Sequence, residues 1–463
     1  MSRSRFILTY LIVTLLFQNC STDKLTEIKD RGKLIALTGY NAYSYFIYKG
    51  QLMGFEYELV NKLAEHLGVQ LELKVVKDIT EMFEMLKSGD GDLVAFNLTI
   101  TKERLQKADF TSHINTIKQV LVQRKPDNWQ NMKLHEIEKQ LIRDPYELIG
   151  KTVVVRSGSS YIQRLINLSD EIGGDINIVE AEPELTMEDL IAQVADGEID
   201  YTISDDNVAE LNEIYHRNID VQTAISLSQR IGWALPKGSG EFLYNVNQWL
   251  DSLKETLDFA VIYNKYYTNR YAYKKRISSD YFSNTGGGIS RYDDIIKKYS
   301  DSIGWDWRLS ASMIYQESQF DPNAKSWAGA LGLMQLLPST AKQFGTTNLL
   351  DPEQNIKAGF KFISYLNEYW KAEIPDSTER IKFILASYNV GPEHIVDARN
   401  LTEKYEAEAN VWFDNVEYYL SLKSKPEFYN DEVVKMGYVR GEETVGYVRE
   451  ILDRYEHYLQ LIN

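Results

Sequence analysis

Three consecutive glycines, Gly286, Gly287 and Gly288, lie within "SSDYFSNTGGGIS" and separate two kinds of hydrophobic periodicity in this 463-residue chain. A glycine run flanked by Ser, Asn and Thr is disfavoured in both helix and strand, so the chain should break there. Before it, strand-like and helix-like patterns alternate. "KLIALTGY" reads as a buried strand, "GFEYELVNKLAEHLG" as a helix ending on glycine, "VQLELKVV" as a strand, "ITEMFEMLKSG" as a helix and "DLVAFNL" as a strand. A second block of the same character runs from "GKTVVVRSGSS" through "LIAQVADGEIDYTISDD", which predicts two α/β lobes with mostly parallel strands. Beyond the glycines only helical patterns remain: "RYDDIIKKYSDSIG", "DWRLSASMIYQESQF", "PEQNIKAGFKFISYLNEYW", "ERIKFILASYNV" and "TVGYVREILDRYEHYLQLI". The expected architecture is multidomain: an α/β two-lobed module over 21–275, a Gly/Ser-rich linker over 276–290 and an all-α unit over 291–463.

A formal net charge of -16 argues against a nucleic-acid partner, because neutralising a phosphate backbone needs clustered Lys and Arg. The six histidines show no i, i+4 pair of the kind that holds a metal on a helix, and no metal or cofactor is assigned. Cys20 is the single cysteine, so no internal disulfide can form. It follows Arg3, Arg5 and the apolar run "FILTYLIVTLLF", which is short for a bilayer span and has the layout of a secretory signal over 1–20. This start resembles a bacterial lipoprotein signal. The resemblance implies a lipidated Cys20 that tethers the chain to a membrane on the periplasmic side of the envelope. Ser21 after it implies outer-membrane sorting. A conventional cleaved signal with an unrelated cysteine is the alternative.

The stretches "KLIALTGYNAYSYFIYKGQLMGFEYELVNKLAEHLG", "LKSGDGDLVAFNLTITKERLQKADFT" and "GEIDYTISDD" together resemble the extracellular solute-binding proteins for polar amino acids, over about residues 28–270. The resemblance implies that Arg104 of "ERLQKADF" holds a ligand carboxylate by bidentate pairing. It implies that Asp205 binds an ammonium group, with Asp206 the register alternative, and that Thr99, Ser159 and an aromatic wall at Tyr43 complete the cleft. The ligand would be a free amino acid or a cell-wall peptide. Either aspartate could instead cap the helix that follows.

In the helical half, one residue is out of place. Helical spacing puts Glu317 of "MIYQESQF" on one face with Leu309 and Met313, joined by Ser312, Gln316 and Phe320, and Asp321-Pro322 should end that helix. A carboxyl group turned to an apolar interior is held neutral by lost solvation, the state a general acid needs near pH 7. The ordered motifs "QES", "SWAGALGLMQLLPSTA", "ASYNVGP" and "ETVGYVREIL" are similar to the lysozyme-like domain of the lytic murein transglycosylases. That resemblance implies that Glu317 serves as acid and then base on the β-1,4 bond between N-acetylmuramic acid and N-acetylglucosamine of peptidoglycan glycan strands. The muramyl 6-hydroxyl then closes a 1,6-anhydro product. It also implies that Ser326, Gln335, Tyr388, Asn389 and Tyr447 line the substrate cleft. Asp321 and Glu353 fall where capping explains them, so a second catalytic carboxylate is not expected, unlike the usual glycosidase pair. Two other functions stay open: a glycan-holding sensor lipoprotein without catalysis, and a hydrolytic muramidase.

Overall fold

A computed structural model of the chain describes residues 23–462. Cys20 and the apolar run before it lie outside the described residues. The chain forms two compact units, the first comprising residues up to Phe46 and Met53–Ser278, the second Ile47–Leu52 and Ser279 onward.

The first unit holds two sheets, one per lobe. In one, strand Lys33–Thr38 is central between parallel neighbours, Gln70–Val75 and Leu93–Thr99. Parallel pairing needs crossovers, and helices Phe55–Leu67 and Ile79–Ser88 supply them. Both end where the sequence predicts, on Gly68 and Gly89, whose left-handed backbone lets their amides cap the preceding carbonyls. The second sheet runs Asn177–Glu180, Thr152–Val155, Tyr201–Asp205, Gln119–Arg124, Ile219–Asp220.

The second lobe begins earlier than its sequence pattern suggests. Strand Gln119–Arg124 pairs antiparallel with Tyr201–Asp205, and the chain later returns to the first sheet through Gln229–Leu235, antiparallel to Leu93–Thr99. Each lobe therefore carries an antiparallel strand within an otherwise parallel core. Partner choice of this kind is made by tertiary packing and leaves no periodicity to read.

The second unit is helical. The five expected helices form at Asp293–Ile303, Trp307–Ser318, Pro352–Trp370, Ser377–Val390 and Gly441–Leu461, with shorter ones at Pro338–Gln343, Glu417–Leu422 and Pro426–Tyr429 and a further one at Pro392–Lys404. Their apolar faces meet in one core that includes the fully buried Met313, Ile314, Ile363, Trp370, Leu385 and Ile451, and also Ile47 from the hairpin tip at 47–52. Each such Leu or Ile contributes about 1.5–3 kcal/mol. Tyr458 donates to the Gly50 carbonyl at 2.5 Å, fastening that tip. The glycine-rich stretch is itself packed. Phe282 and Ile289 are fully buried, and a Cβ on Gly286 would meet the Asp280 carbonyl at 2.2 Å, so glycine permits a close turn there.

Candidate functional site

Helix Trp307–Ser318 starts on Asp306, whose carboxylate accepts from the Arg308 amide at 2.8 Å. It stops at Ser318, two residues before the expected end, because Gln319 and Phe320 both take positive φ, 51° and 61°. Phe320 therefore leaves the helical face on which its spacing placed it. Glu317 is left in the last turn, where unpaired carbonyls and the negative end of the helix dipole disfavour an anion. The residue is half-buried, and burial of its carboxyl group raises its pKa from 4.5 to about 7, opposed by a hydrogen bond from Tyr447. No other carboxylate is among the groups that shift it.

The C-terminal helix Gly441–Leu461 brings Tyr447 to that position, its hydroxyl donating to Glu317 Oε1 at 2.5 Å. The two helices are zipped together by Ser312, which donates to the Ile451 carbonyl at 2.7 Å, and by Gln316, which donates to Glu450 at 2.6 Å. Tyr388 stands close enough to Glu317 and Tyr447 to couple electrostatically with both, and its hydroxyl donates to the Met334 carbonyl at 2.7 Å. Asn389 is exposed and accepts from Thr444, one turn before Tyr447, at 2.7 Å.

The loop 323–336 follows Glu317. Ser318 ties it down through the Leu333 carbonyl at 2.8 Å. Ser326 closes a turn by accepting from the Ala330 amide at 3.0 Å. Gln335, at φ 44°, spends its amide on the Ala324 and Gly332 carbonyls at 3.1 and 2.8 Å, so it braces the loop. Of the loop glycines, Gly329 faces open space. Gly332 does not: a Cβ there would meet Asn355 Nδ2 and the Leu349 carbonyl at 2.3 Å, so its close approach is to the protein's own core. Asp321 accepts from the Asn323 amide at 2.9 Å and Glu353 pairs with Lys298 at 3.0 Å, both structural tasks.

In the two-lobed unit, the cleft forms where ligands bind in open α/β sheets, beyond the carboxyl ends of the strands. It is lined by Tyr43, Thr99 and Arg104 from one lobe and Ser159, Tyr161 and Asp205 from the other, with Arg156 beside them. Arg104 donates to the Thr99 carbonyl at 3.0 Å and across the lobes to Gly158 at 3.1 Å. Burial lowers its pKa to about 10. Asp205 accepts from Tyr161 at 3.0 Å and from Asn97, across the lobes, at 2.7 Å. Burial raises its pKa to about 7. Its side chain makes no cap bond to the helix Asp206–Tyr215. Ser159 Oγ is buried without a hydrogen-bond partner among the described residues. Asn97, Arg156 and Tyr161 also line this cleft, brought there by the fold and not marked by any sequence motif. No group of three or more His, Cys, Asp or Glu residues that could hold a metal occurs among the described residues, and no helix there is long and apolar enough to cross a membrane.

Residues 33–269 match the bacterial extracellular solute-binding proteins, family 3, and residues 294–411 match the transglycosylase SLT domain. A membrane-bound lytic murein transglycosylase F from Desulfosudis oleivorans is 37% identical, over 94% of this chain and 92% of its own. The chain belongs to the membrane-bound lytic murein transglycosylase F family. Another member, from Pseudoalteromonas translucida, is 34% identical over 96% of this chain and 92% of its own. The ancestral amino acid-binding protein AncCDT-1 is a solved structure similar to this chain, with TM-score 0.44 and 26% identity, covering 53% of this chain and 100% of its own. Tyr447, expected at the cleft, lies 130 positions from Glu317 in the chain, and the bond between them arises through helix packing, which spacing alone does not give. Trp327, beside Ser326 in the same motif, was not singled out from the sequence. It sits in the turn that Ser326 closes and is 100% exposed.

Proposed function

We infer that this chain cleaves peptidoglycan glycan strands by lytic transglycosylation, with Glu317 acting first as acid and then as base. The observation that carries the reading is a carboxyl group, shifted by no other carboxylate among the described residues, whose pKa, at about 7, leaves it substantially protonated near neutrality and able to take the proton back afterwards. Protonated Glu317 gives its proton to the glycosidic oxygen between N-acetylmuramic acid and N-acetylglucosamine. The resulting carboxylate then accepts the proton of the muramyl 6-hydroxyl as that oxygen bonds to the anomeric carbon. Atoms balance without water, and the product ends in a 1,6-anhydro sugar. Tyr447 steadies the carboxylate between the two steps. Ser326, Tyr388, Asn389 and the Gln335-braced loop form the walls against which the sugars lie.

The solute-binding module takes an amino acid or a cell-wall peptide, its carboxylate on Arg104 and its ammonium on Asp205, with Tyr43, Thr99 and Ser159 around it, and occupancy modulates cleavage. The chain works on the periplasmic side of the envelope, held by lipid on Cys20, at the outer membrane. Support for that placement is the signal-like N-terminus and the membrane-bound relatives. The deciding experiment is mass spectrometry of muropeptides released by the wild type and by Glu317→Gln. Anhydromuramyl ends that vanish in the variant are expected. Reducing ends would make the enzyme a hydrolase, and an active variant would remove Glu317 from the chemistry.

A further inference from the structure

The ligand cleft contains one more cation than a simple zwitterion can use. Arg156, just beyond strand Thr152–Val155, lines the same cavity as Arg104 and is only 7% exposed. Its guanidinium lies over the Phe96 ring, 5.4 Å from the centroid, and makes one long hydrogen bond across the lobes, 3.3 Å to the Lys77 carbonyl. Neither arginine forms an ion pair among the described residues. An arginine cannot shed its proton, so a buried guanidinium with few partners is costly until an anion reaches it.

The carboxylates nearby do not discharge it. Asp205 has both oxygens engaged, by Tyr161 and Asn97, and faces the ammonium position. Glu188 interacts electrostatically with Arg156 but spends one oxygen on the Ala42 amide at 3.1 Å, and burial holds its pKa up. Once a ligand's α-carboxylate meets Arg104 and its ammonium meets Asp205, Arg156 remains. The unpartnered Ser159 hydroxyl in the same cavity adds a donor for an anion.

We propose that the cleft selects ligands with a second carboxylate, an acidic amino acid or an acidic short peptide, and that Arg156 reads that group. This rests on the amino-acid-binding reading of the module. As it stands the cleft is drawn together by hydrogen bonds between lobes, so such a ligand is admitted by lobe opening and replaces the bond from Arg156 to Lys77.

Calorimetry on the full chain with L-glutamate, L-glutamine and alanyl-glutamate tests it. The wild type should bind glutamate or alanyl-glutamate at least about tenfold more tightly than glutamine, the scale of a desolvated charge contact. Arg156→Met should erase the preference by lowering affinity for the acidic ligand at least about tenfold more than affinity for glutamine, and Arg156→Lys should keep part of it, which separates lost charge from a damaged fold. Glutamine bound as tightly as both acidic ligands by the wild type, or a preference that survives Arg156→Met, would overturn the assignment to Arg156 alone. If no amino acid or peptide binds the wild type, or Arg104→Ala leaves affinity unchanged, the amino-acid-binding reading itself falls and this assignment with it.

Discussion

Tyr447 donates its phenolic hydrogen to Glu317 from a different helix, and this one bond opposes the burial that keeps the carboxyl group neutral. A donor to the charged form favours ionisation, so removing it should raise the pKa further. Tyr447→Phe should therefore move the basic limb of the kcat/KM profile upward by about one unit, since such a bond is worth about 1.5–3 kcal/mol and one unit is about 1.4. The rate would fall as well, because the carboxylate formed after proton donation loses its partner. A pH profile of muropeptide release by the wild type and the variant checks this. A limb that stays in place would confine Tyr447 to packing.

Glu317→Gln should lower cleavage by about 10²–10⁴-fold, the usual share of a general acid-base group. It should also change stability in a pH-dependent direction. The folded pKa lies above the unfolded value, so the carboxyl group favours the folded state fully below pH 4.5, and this advantage is lost as pH rises toward and through about 7. Glutamine has no such titration. The variant should thus gain up to about 3 kcal/mol relative to wild type on going from pH 5 to pH 8, read as a higher Tm at pH 8 only. Equal Tm differences at both pH values would show that the carboxyl group is solvated in the folded protein.

What could be read from the chain before its fold was known depended on range. Helix Pro352–Trp370 and strand Lys33–Thr38 were legible because their periodicity is local and their ends carry Asp, Pro or Gly signals. Glu317 was legible as a charge in an apolar helix, although the positive φ of Gln319 and Phe320, which sets its place in the last turn, was not. Tyr447 was legible only as a cleft-lining residue of the "ETVGYVREIL" motif, and its bond to Glu317 comes from the packing of two distant helices. Strand Gln119–Arg124 has an ordinary strand pattern, and its membership of the second sheet is decided by pairing with Tyr201–Asp205. Arg156 reads as a polar residue after a strand until the two lobes enclose it.

The loop beside Glu317 depends on Asn355, fully buried, which accepts from the Met334 amide at 2.8 Å and donates to the Leu331 and Leu349 carbonyls at 3.0 and 2.9 Å. Asn355→Leu would leave the Met334 amide and the Leu349 carbonyl unpaired, at about 1–3 kcal/mol each, while the Leu331 carbonyl keeps the Leu336 amide. A lower Tm and loss of cleavage are expected. Gly332→Ala should do the same, since its Cβ would meet Asn355 Nδ2 at 2.3 Å, whereas Gly329→Ala has open space and should cost only about 1–3 kcal/mol of backbone strain. Thermal denaturation of the three variants ranks them. A tolerated Gly332→Ala would mean that the loop can move away from Asn355.

Trp327 presents its whole side chain to solvent from the Ser326 turn, a position where an aromatic face suits the apolar face of a sugar ring. Trp327→Ala should raise KM for glycan roughly three- to tenfold with kcat little changed, the pattern of a contact made equally in ground and transition states. Steady-state kinetics on soluble glycan strands provides the test. A fall in kcat at constant KM would place the indole in the chemical step instead.

In the ligand cleft, Asp205 has a pKa of about 7 because burial outweighs the hydrogen bonds from Tyr161 and Asn97 and the pull of Arg104. An ammonium group requires the ionised form, so below that value binding must first expel a proton. Affinity for a bound amino acid should rise by up to about tenfold per pH unit between pH 5 and 7 and level off above it. Calorimetry at pH 5.5 in two buffers of different ionisation enthalpy should show a proton released on binding, and at pH 8 none. Asp205→Asn, which keeps acceptor capacity without titrating, should bind weakly with no pH dependence over this range, because an amide cannot neutralise the ammonium charge. Affinity that is flat with pH in the wild type would mean that Asp205 is already ionised in the empty cleft, and that its charge is balanced there by Arg104 before any ligand arrives.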